Sequence, residues 1–372
     1  MYTQTNTYQR PDELAKQQGK SNYYQIDTIR FITISIIVWS HSLFPEWRLP
    51  SPDNVTEQII KAIVIQAGAT STIIFFIVSG ILIHSKLQNY TLKKYFNERI
   101  PRIYAPWLFI VFFNTILIML HQLDASELAS GDSSVVLSRS VYNIVNGLLI
   151  YGPYWFVVTY LVGMVLMITF KNHAGNLIFG LILFSITFFY CLNFHMGWID
   201  TFHTKAVLAY TFFIWLGFLV HRHWTFLLKK VENTGWVTLI MGLLLLFSVA
   251  CFEGYFLTKK GVNDSFASNR FTNIIFSLAF FVFLLKVGAI SLINNLQPRK
   301  IVYGIYLVNS IVILELSVLF GTYLKDLSNN HILELLAYQF LFFMIVLVLT
   351  FIIVRQLANS RLRWIIGLTP QQ

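Results

Sequence analysis

The stretch ILELLAYQFLFFMIVLVLTFIIV, from Ile332 to Val354, contains one charged side chain, that of Glu334. A helix needs about 17 to 25 mainly apolar residues to cross the hydrocarbon layer of a bilayer. A helix that is apolar on all sides is either buried in a large core or spans a membrane. This stretch therefore predicts a transmembrane helix.

Nine further stretches have the same character, although the first is short and the second is long. They are Phe31–Phe44, Ile59–His84, Pro101–Leu123, Tyr154–Phe170, Leu177–Phe194, Ala206–His221, Trp236–Tyr255, Phe271–Gly288 and Ile301–Phe320. No repeat or linker between them indicates a second domain. We therefore predict an all-α polytopic membrane protein with about ten transmembrane helices.

The composition supports this fold class. Of the 372 residues, 56% are apolar and 12% are charged, whereas soluble domains carry about 25% charged residues. These values exclude a soluble globular domain and a disordered chain. The net charge of +10 would indicate nucleic acid as a partner of a soluble protein. In a membrane protein it first indicates unequal charge on the two sides of the bilayer, so no nucleic-acid partner is predicted.

The distribution of charge predicts the orientation. With both termini in the cytoplasm, 19 of the 27 Lys and Arg residues but only 5 of the 17 Asp and Glu residues fall on the cytoplasmic side. Basic residues favour that side in membrane proteins, so we predict an even number of spans and two cytoplasmic termini. The predicted domains are a cytoplasmic N-terminal tail (residues 1–25), a transmembrane domain (26–356) and a cytoplasmic C-terminal tail (357–372).

His41 is an ionisable residue near the outer end of the first predicted span. Arg30 lies eleven residues earlier, about 16 Å along the helix axis and on nearly the same face. Such groups cost free energy inside a membrane, so they are candidates for function. The alternative is an interfacial histidine, with Arg30 reaching lipid phosphate. Asp27 is either a neighbour of Arg30 at i+3 or an acid favoured by the helix dipole.

Arg99 and Arg102 are three residues apart at the start of the third predicted span, so both guanidinium groups share one helix face. Arginine binds phosphate through two parallel hydrogen bonds, which suits a polyanionic ligand. The alternative is a basic cluster that only fixes topology. The surrounding segment His84–Arg102 predicts an interfacial helix on anionic membrane lipid.

Other candidates are weaker. Trp155 belongs to an aromatic group that is typical of a membrane interface. Tyr303, Tyr306 and Asn309 lie on one face of the ninth span, where hydrogen bonds between helices are the alternative explanation. The chain has no HExxH, CxxC, GxSxG, P-loop or GxGxxG motif, so we predict no metal site and find no support for hydrolase, kinase or dinucleotide-binding classes.

Taken in order, several motifs resemble those of the membrane acyltransferase-3 family, the integral-membrane O-acyltransferases of bacterial surface glycans. The matching elements are Asp27-Thr28-Ile29-Arg30 followed by His41, Phe75-Phe76 with Ser79-Gly80, Arg99-Ile100-Pro101-Arg102, Tyr154-Trp155-Phe156, and Tyr303-Gly304-Ile305-Tyr306-Leu307. The resemblance extends from about Tyr24 to the C-terminus. Ten spans is also the family's count.

The resemblance implies a multi-pass enzyme of the bacterial cytoplasmic (inner) membrane. It implies transfer of an acyl group, usually acetyl, from acyl-coenzyme A to a hydroxyl of a cell-surface glycan or lipid-linked saccharide. The co-substrate is then acetyl-CoA or another acyl-CoA, with no metal. The implied residues are His41 as general base or acyl relay, Arg30, Arg99 and Arg102 for donor binding, and Asp27, Trp155, Tyr303, Tyr306 and Asn309 lining the site.

One departure from the family leaves other classes open. After Tyr-Leu the family often has a histidine, whereas this chain has Asn309. Asparagine can form hydrogen bonds but does not transfer a proton near neutral pH. The main alternative is a polysaccharide exporter or flippase without acyl-transfer activity, which needs no acyl donor. A membrane sensor or scaffold that has lost activity is a third interpretation.

Overall fold

The computed structural model describes residues 11–48, 54–122, 141–326 and 332–369, and these residues form helices and no β-strand. The helices are α1 (Pro11–His41), α2 (Val55–Gly68), α3 (Ser71–Leu87), α4 (Leu92–Arg99), α5 (Ala105–Gln122), α6 (Trp155–Thr169), α7 (Leu177–Met196), α8 (Thr211–Arg222), α9 (Trp224–Asn233), α10 (Trp236–Lys259), α11 (Phe271–Val287), α12 (Ser291–Asn295), α13 (Pro298–Asp326) and α14 (Ile332–Ala358).

Six helical stretches are long and apolar enough to cross a membrane. They are Val55–Leu87, Leu92–His121, Leu177–Met196, Trp236–Lys259, Pro298–Phe320 and Ile332–Ala358. Three shorter apolar helices accompany them: Trp155–Thr169, Val207–Arg222 and Phe271–Val287. The predicted all-helical membrane fold is therefore confirmed, while the count of ten spans and the orientation stay predictions.

The outer surface of the bundle is apolar. Helix α10 is the clearest case, since Val237, Leu245 and Phe252 are among its exposed side chains. Exposing such a surface to water would cost free energy, whereas contact with lipid chains does not, because lipid chains are as apolar as these side chains. The polar groups lie inside the bundle instead, where other protein groups satisfy them.

The predicted span Ile59–His84 consists of two helices, α2 and α3, with a break at Ala69 and Thr70. A buried polar network on α11 explains the break. Asn273 donates from Nδ2 to the carbonyl of Ala69 at 3.2 Å and accepts from Gln66 Nε2 at 2.7 Å. The fully buried Arg270 donates to the Gln66 side-chain oxygen. The freed backbone carbonyl is therefore paired with a side chain, as a break inside a membrane protein requires.

Helices α3 and α8 approach each other most closely at two glycines. A Cβ atom on Gly80 would lie 1.9 Å from the carbonyl oxygen of Ile214, and one on Gly217 would lie 1.9 Å from that of Ile77. Small residues at a helix interface allow backbones in membranes to come this close. The pair therefore fixes the distance between α3, which packs on α1, and α8, which packs on α6.

We expect Gly80→Ala to lower the free energy of unfolding by about 2 kcal/mol or more, because the new methyl group overlaps a backbone oxygen that cannot move alone. Gly242→Ala in α10 is the matched control, since a Cβ there meets nothing within 4 Å. The control should be neutral or stabilising by up to about 1 kcal/mol. Thermal unfolding of both purified variants in one detergent measures this, and equal melting temperatures would contradict it.

Candidate functional site

His41 ends α1 and contacts α13. Its Nδ1 atom lies 3.0 Å from Oδ1 of Asn309, which is completely buried. The two residues are 268 positions apart in the sequence, and the packing of α1 against α13 brings them together. The predicted catalytic residue and the residue that departs from the family pattern therefore meet directly.

The hydrogen bonds of Asn309 determine which nitrogen of His41 carries the proton. Asn309 donates from Nδ2 to the carbonyls of Ile305 and Tyr306, at 2.8 and 2.6 Å. Its Oδ1 atom, which can only accept, therefore faces His41. The His41 Nδ1–H must be the donor in this pair, and in the neutral ring the lone pair lies on Nε2. Nε2 is thus the basic atom of the imidazole.

The same face of α13 contacts two further motifs. Tyr303 donates from its hydroxyl to the carbonyl of Ile103 at 2.6 Å, and Tyr306 donates to the carbonyl of Pro153 at 2.8 Å. Tyr303, Tyr306 and Asn309 are spaced by three residues, so one helix face presents all three. These bonds agree with the alternative explanation, in which the polar tips join parts of the bundle, and each bond reaches a different part of the chain.

Beside this face lies a polar cluster that the sequence analysis missed. Tyr154 donates to the carbonyl of Leu307 at 3.1 Å and also contacts the hydroxyl of Ser310. Asn114 donates to the hydroxyls of Tyr154 and Ser310 at 3.2 and 3.1 Å. An asparagine in the apolar run of α5 was the available signal, because buried amides need partners.

A π-helical segment, Ile100–Tyr104, connects α4 to α5; Arg99 directly precedes it and Arg102 lies within it. Arg102 is exposed, whereas Arg99 is half-buried and its Nε atom has no hydrogen-bond acceptor. Burial, and then a hydrogen bond to Glu98, raises the pKa of the nearby Tyr90. The Glu98 carboxylate is thus engaged with Tyr90 and forms no salt bridge with either arginine.

Asp27 lies between two arginines. It is buried, accepts from Arg299 Nε at 2.5 Å and lies 3.8 Å from Arg30 Nη1. The proximity of Asp27 and Arg30 was an expectation from their spacing. Arg299, at the start of α13, was not singled out from the sequence, because the contact depends on the packing of α1 against α13.

Trp155 is buried at the start of α6 and packs on Tyr210, with ring centroids 5.2 Å apart. It therefore lies inside the bundle rather than on the lipid-facing surface of a membrane interface. Its neighbour Phe156 contacts the ring of Tyr306 at 5.8 Å, which links this motif to α13. Among the described residues, no three His, Cys, Asp or Glu side chains group as metal ligands would.

Comparison with known proteins gives one family. The family model described as an acyltransferase domain, of the acyltransferase-3 type, matches residues 23–355. That range includes α1 from its middle onwards, Arg99 and Arg102, and the polar face of α13. No curated protein and no solved structure gives a significant match.

We expect Tyr303→Phe and Tyr306→Phe each to lower the free energy of unfolding by about 1 kcal/mol, because a part-buried carbonyl then loses its donor. Tyr338→Phe is the matched control, since Tyr338 is exposed on α14 and forms no hydrogen bond with a described residue. Chemical denaturation in detergent measures all three. If the control loses as much stability as the two test variants, these bonds do not stabilise the bundle.

Proposed function

The chain belongs to the acyltransferase-3 family, whose model covers residues 23–355, and from this we propose that it is a membrane O-acyltransferase that uses acyl-coenzyme A. The acyl group that we propose first is acetyl, and the acceptor is a hydroxyl of a cell-surface or lipid-linked glycan. The enzyme resides in the bacterial cytoplasmic membrane. The observation that carries this proposal is the Asn309-oriented imidazole of His41.

The orientation of His41 supports its use as a general base. With its Nδ1–H donated to Asn309, Nε2 holds a lone pair that can take the proton of an acceptor hydroxyl. The hydroxyl oxygen then attacks the thioester carbonyl carbon, a C–O bond forms, and the C–S bond breaks. The proton on Nε2 passes to the departing thiolate, so the imidazole ends the cycle neutral.

A covalent relay uses the same atom. In that version Nε2 attacks the thioester carbonyl carbon, the C–S bond breaks, and coenzyme A leaves as the thiolate, which gives an N-acylimidazolium that keeps its Nδ1–H. The acceptor hydroxyl then takes the acyl group from Nε2, and its proton passes to the thiolate. Asn309 serves both versions, because it holds Nδ1–H in each. Acid quenching without acceptor, followed by mass spectrometry of the peptide that contains His41, distinguishes them: an acylated peptide supports the relay.

The donor side of the proposal rests on the arginines. Tyr303 and Asn309 are six residues apart on α13, about 9 Å along the axis. Their hydrogen bonds therefore separate the carbonyl of Ile103, the residue after Arg102, from the imidazole of His41 by about one and two-thirds turns of α13. Phosphates of a coenzyme held by these guanidinium groups would be fixed by bidentate, charge-assisted bonds. Arg30, on the same helix as His41, adds positive charge, although Asp27 partly neutralises it.

We expect His41→Ala to reduce acyl transfer by about 10²- to 10⁴-fold, the usual contribution of a general base. The measurement is transfer of radiolabelled acetyl from acetyl-CoA to a candidate glycan by the purified protein. His173→Ala is the matched control, because His173 is exposed in the turn between α6 and α7 and should retain full activity.

Two outcomes would contradict this assignment. An active, correctly folded His41→Ala protein would remove His41 from the chemistry. A wild-type protein that moves glycan across vesicles but transfers no label would favour the exporter or flippase instead.

We expect Asn309→Leu, which keeps the volume but loses the acceptor, to lower kcat by at least about tenfold because the wrong tautomer becomes accessible. The KM for acyl-CoA should stay nearly constant, since the groups proposed to bind the donor are the arginines and not Asn309. Asn309→His restores the residue often found in the family and a nitrogen acceptor, so it should recover part of kcat. Equal kcat values for wild type and Asn309→Leu would show that Asn309 does not orient His41.

A further inference from the structure

The last described residues form a short segment that folds back on the bundle. This C-terminal segment, residues 359–368, contains the 3₁₀ helix Arg361–Ile366, which Ser360 caps by accepting from the Leu362 amide at 3.0 Å. Ile366 is buried and Trp364 packs edge-on against Phe109 of α5, with ring centroids 5.1 Å apart. The segment begins after residue 355, where the family match ends.

The segment meets the backbone of the arginine motif. Gly367 has a left-handed φ of 80°, and a Cβ atom on it would lie 2.2 Å from the carbonyl oxygen of Arg102 and 3.0 Å from the ring of Tyr303. Arg363 is one turn away, since its carbonyl accepts from the Leu368 amide at 3.2 Å. The 3₁₀ helix that carries Arg363 therefore packs against the π-helical segment that carries Arg102, although the two arginines are 261 positions apart in the sequence.

Two arginines in this region keep a guanidinium donor without an acceptor, although Arg99 also interacts with the hydroxyl of Tyr90 and lies near the charge of Glu98. The Nε atoms of Arg99 and Arg363 are buried and have no hydrogen-bond acceptor. None of Arg99, Arg102 and Arg363 forms a salt bridge with a described carboxylate. A buried guanidinium donor without an acceptor costs free energy, so a fold that keeps two of them beside one motif points to an anion that binds there.

We propose that Arg363 is a third phosphate-binding residue of the donor site, with Arg99 and Arg102, and that the C-terminal segment forms one wall of that site. This inference rests on the proposed function. The ligand chemistry is an organic phosphate with several negative charges, for which planar, bidentate guanidinium groups are suited. Coenzyme A carries several phosphate charges, whereas the headgroup of an anionic lipid such as phosphatidylglycerol offers the same phosphate chemistry with one charge.

The segment offers its own control. Arg361 is two residues from Arg363, belongs to the same 3₁₀ helix and has the same charge, but it is exposed. A general effect of positive charge near the membrane surface would involve both residues about equally. A phosphate-binding role that depends on position would involve Arg363 alone.

The test uses the full chain in nanodiscs of phosphatidylcholine only, which contain no anionic lipid, and measures coenzyme A binding by calorimetry. We expect Arg363→Ala to weaken binding about tenfold, Arg99→Ala to weaken it similarly, and Arg361→Ala to change it less than about twofold. Arg363→Lys keeps the positive charge but loses the planar guanidinium that forms two parallel hydrogen bonds, so it should bind coenzyme A more tightly than Arg363→Ala and less tightly than the wild type. Unfolding temperatures of all variants show whether the fold is retained.

The outcomes separate the inference from the proposed function. If Arg99→Ala weakens binding and a folded Arg363→Ala does not, the inference is wrong and the proposed function stands. If Arg363→Ala changes only the stabilisation that added phosphatidylglycerol gives, the phosphate belongs to lipid and the inference is again wrong. If the wild type binds no coenzyme A, both the proposed function and this inference fail.

Discussion

One face of α13 holds the site together. Asn309 contacts the imidazole of His41, Tyr306 contacts the carbonyl of Pro153, and Tyr303 contacts the carbonyl of Ile103. These partners belong to three separate parts of the chain, and nothing in the local structure of any one of them would bring it to the others. Because the three side chains are spaced by three residues on one rigid helix, their hydrogen bonds fix the position of each partner along the axis of α13. The geometry of the proposed reaction therefore depends on α13.

Buried polar groups in this protein fall into two kinds. Arg270 is fully buried, yet it donates to the carbonyls of Ala250 and Ala267 and to Gln66, and lies 3.6 Å from Glu253. Glu253 in turn contacts His195 at 3.0 Å and Thr272. Such a network is satisfied within the protein, so its role is structural. Arg99 and Arg363, in contrast, each keep a buried Nε donor without an acceptor, and the proposed phosphate ligand would supply one.

The sequence predicts this fold and site to the extent that they depend on local pattern. Apolar length predicts spans such as Ile332–Val354, because the bilayer imposes that length on any helix. The spacing of Tyr303, Tyr306 and Asn309 predicts a common face because residues three apart are neighbours on one side of a helix. The pairing of Asn309 with His41, and of Arg299 with Asp27, depends on which helices pack together, which no local pattern encodes. The break at Ala69 was missed because its cause, Asn273, lies on another helix.

The hydrogen-bond partners of Asn309 explain how an asparagine can serve where the family often has a histidine. A histidine there could exchange protons with His41, and the tautomer of the pair would then depend on both rings. Asn309 cannot titrate, and its amide is fixed by the carbonyls of Ile305 and Tyr306. It therefore admits one arrangement, in which Nδ1 of His41 donates and Nε2 accepts. A single oriented base needs only this one partner, so the departure from the family pattern is compatible with a complete acyl-transfer site.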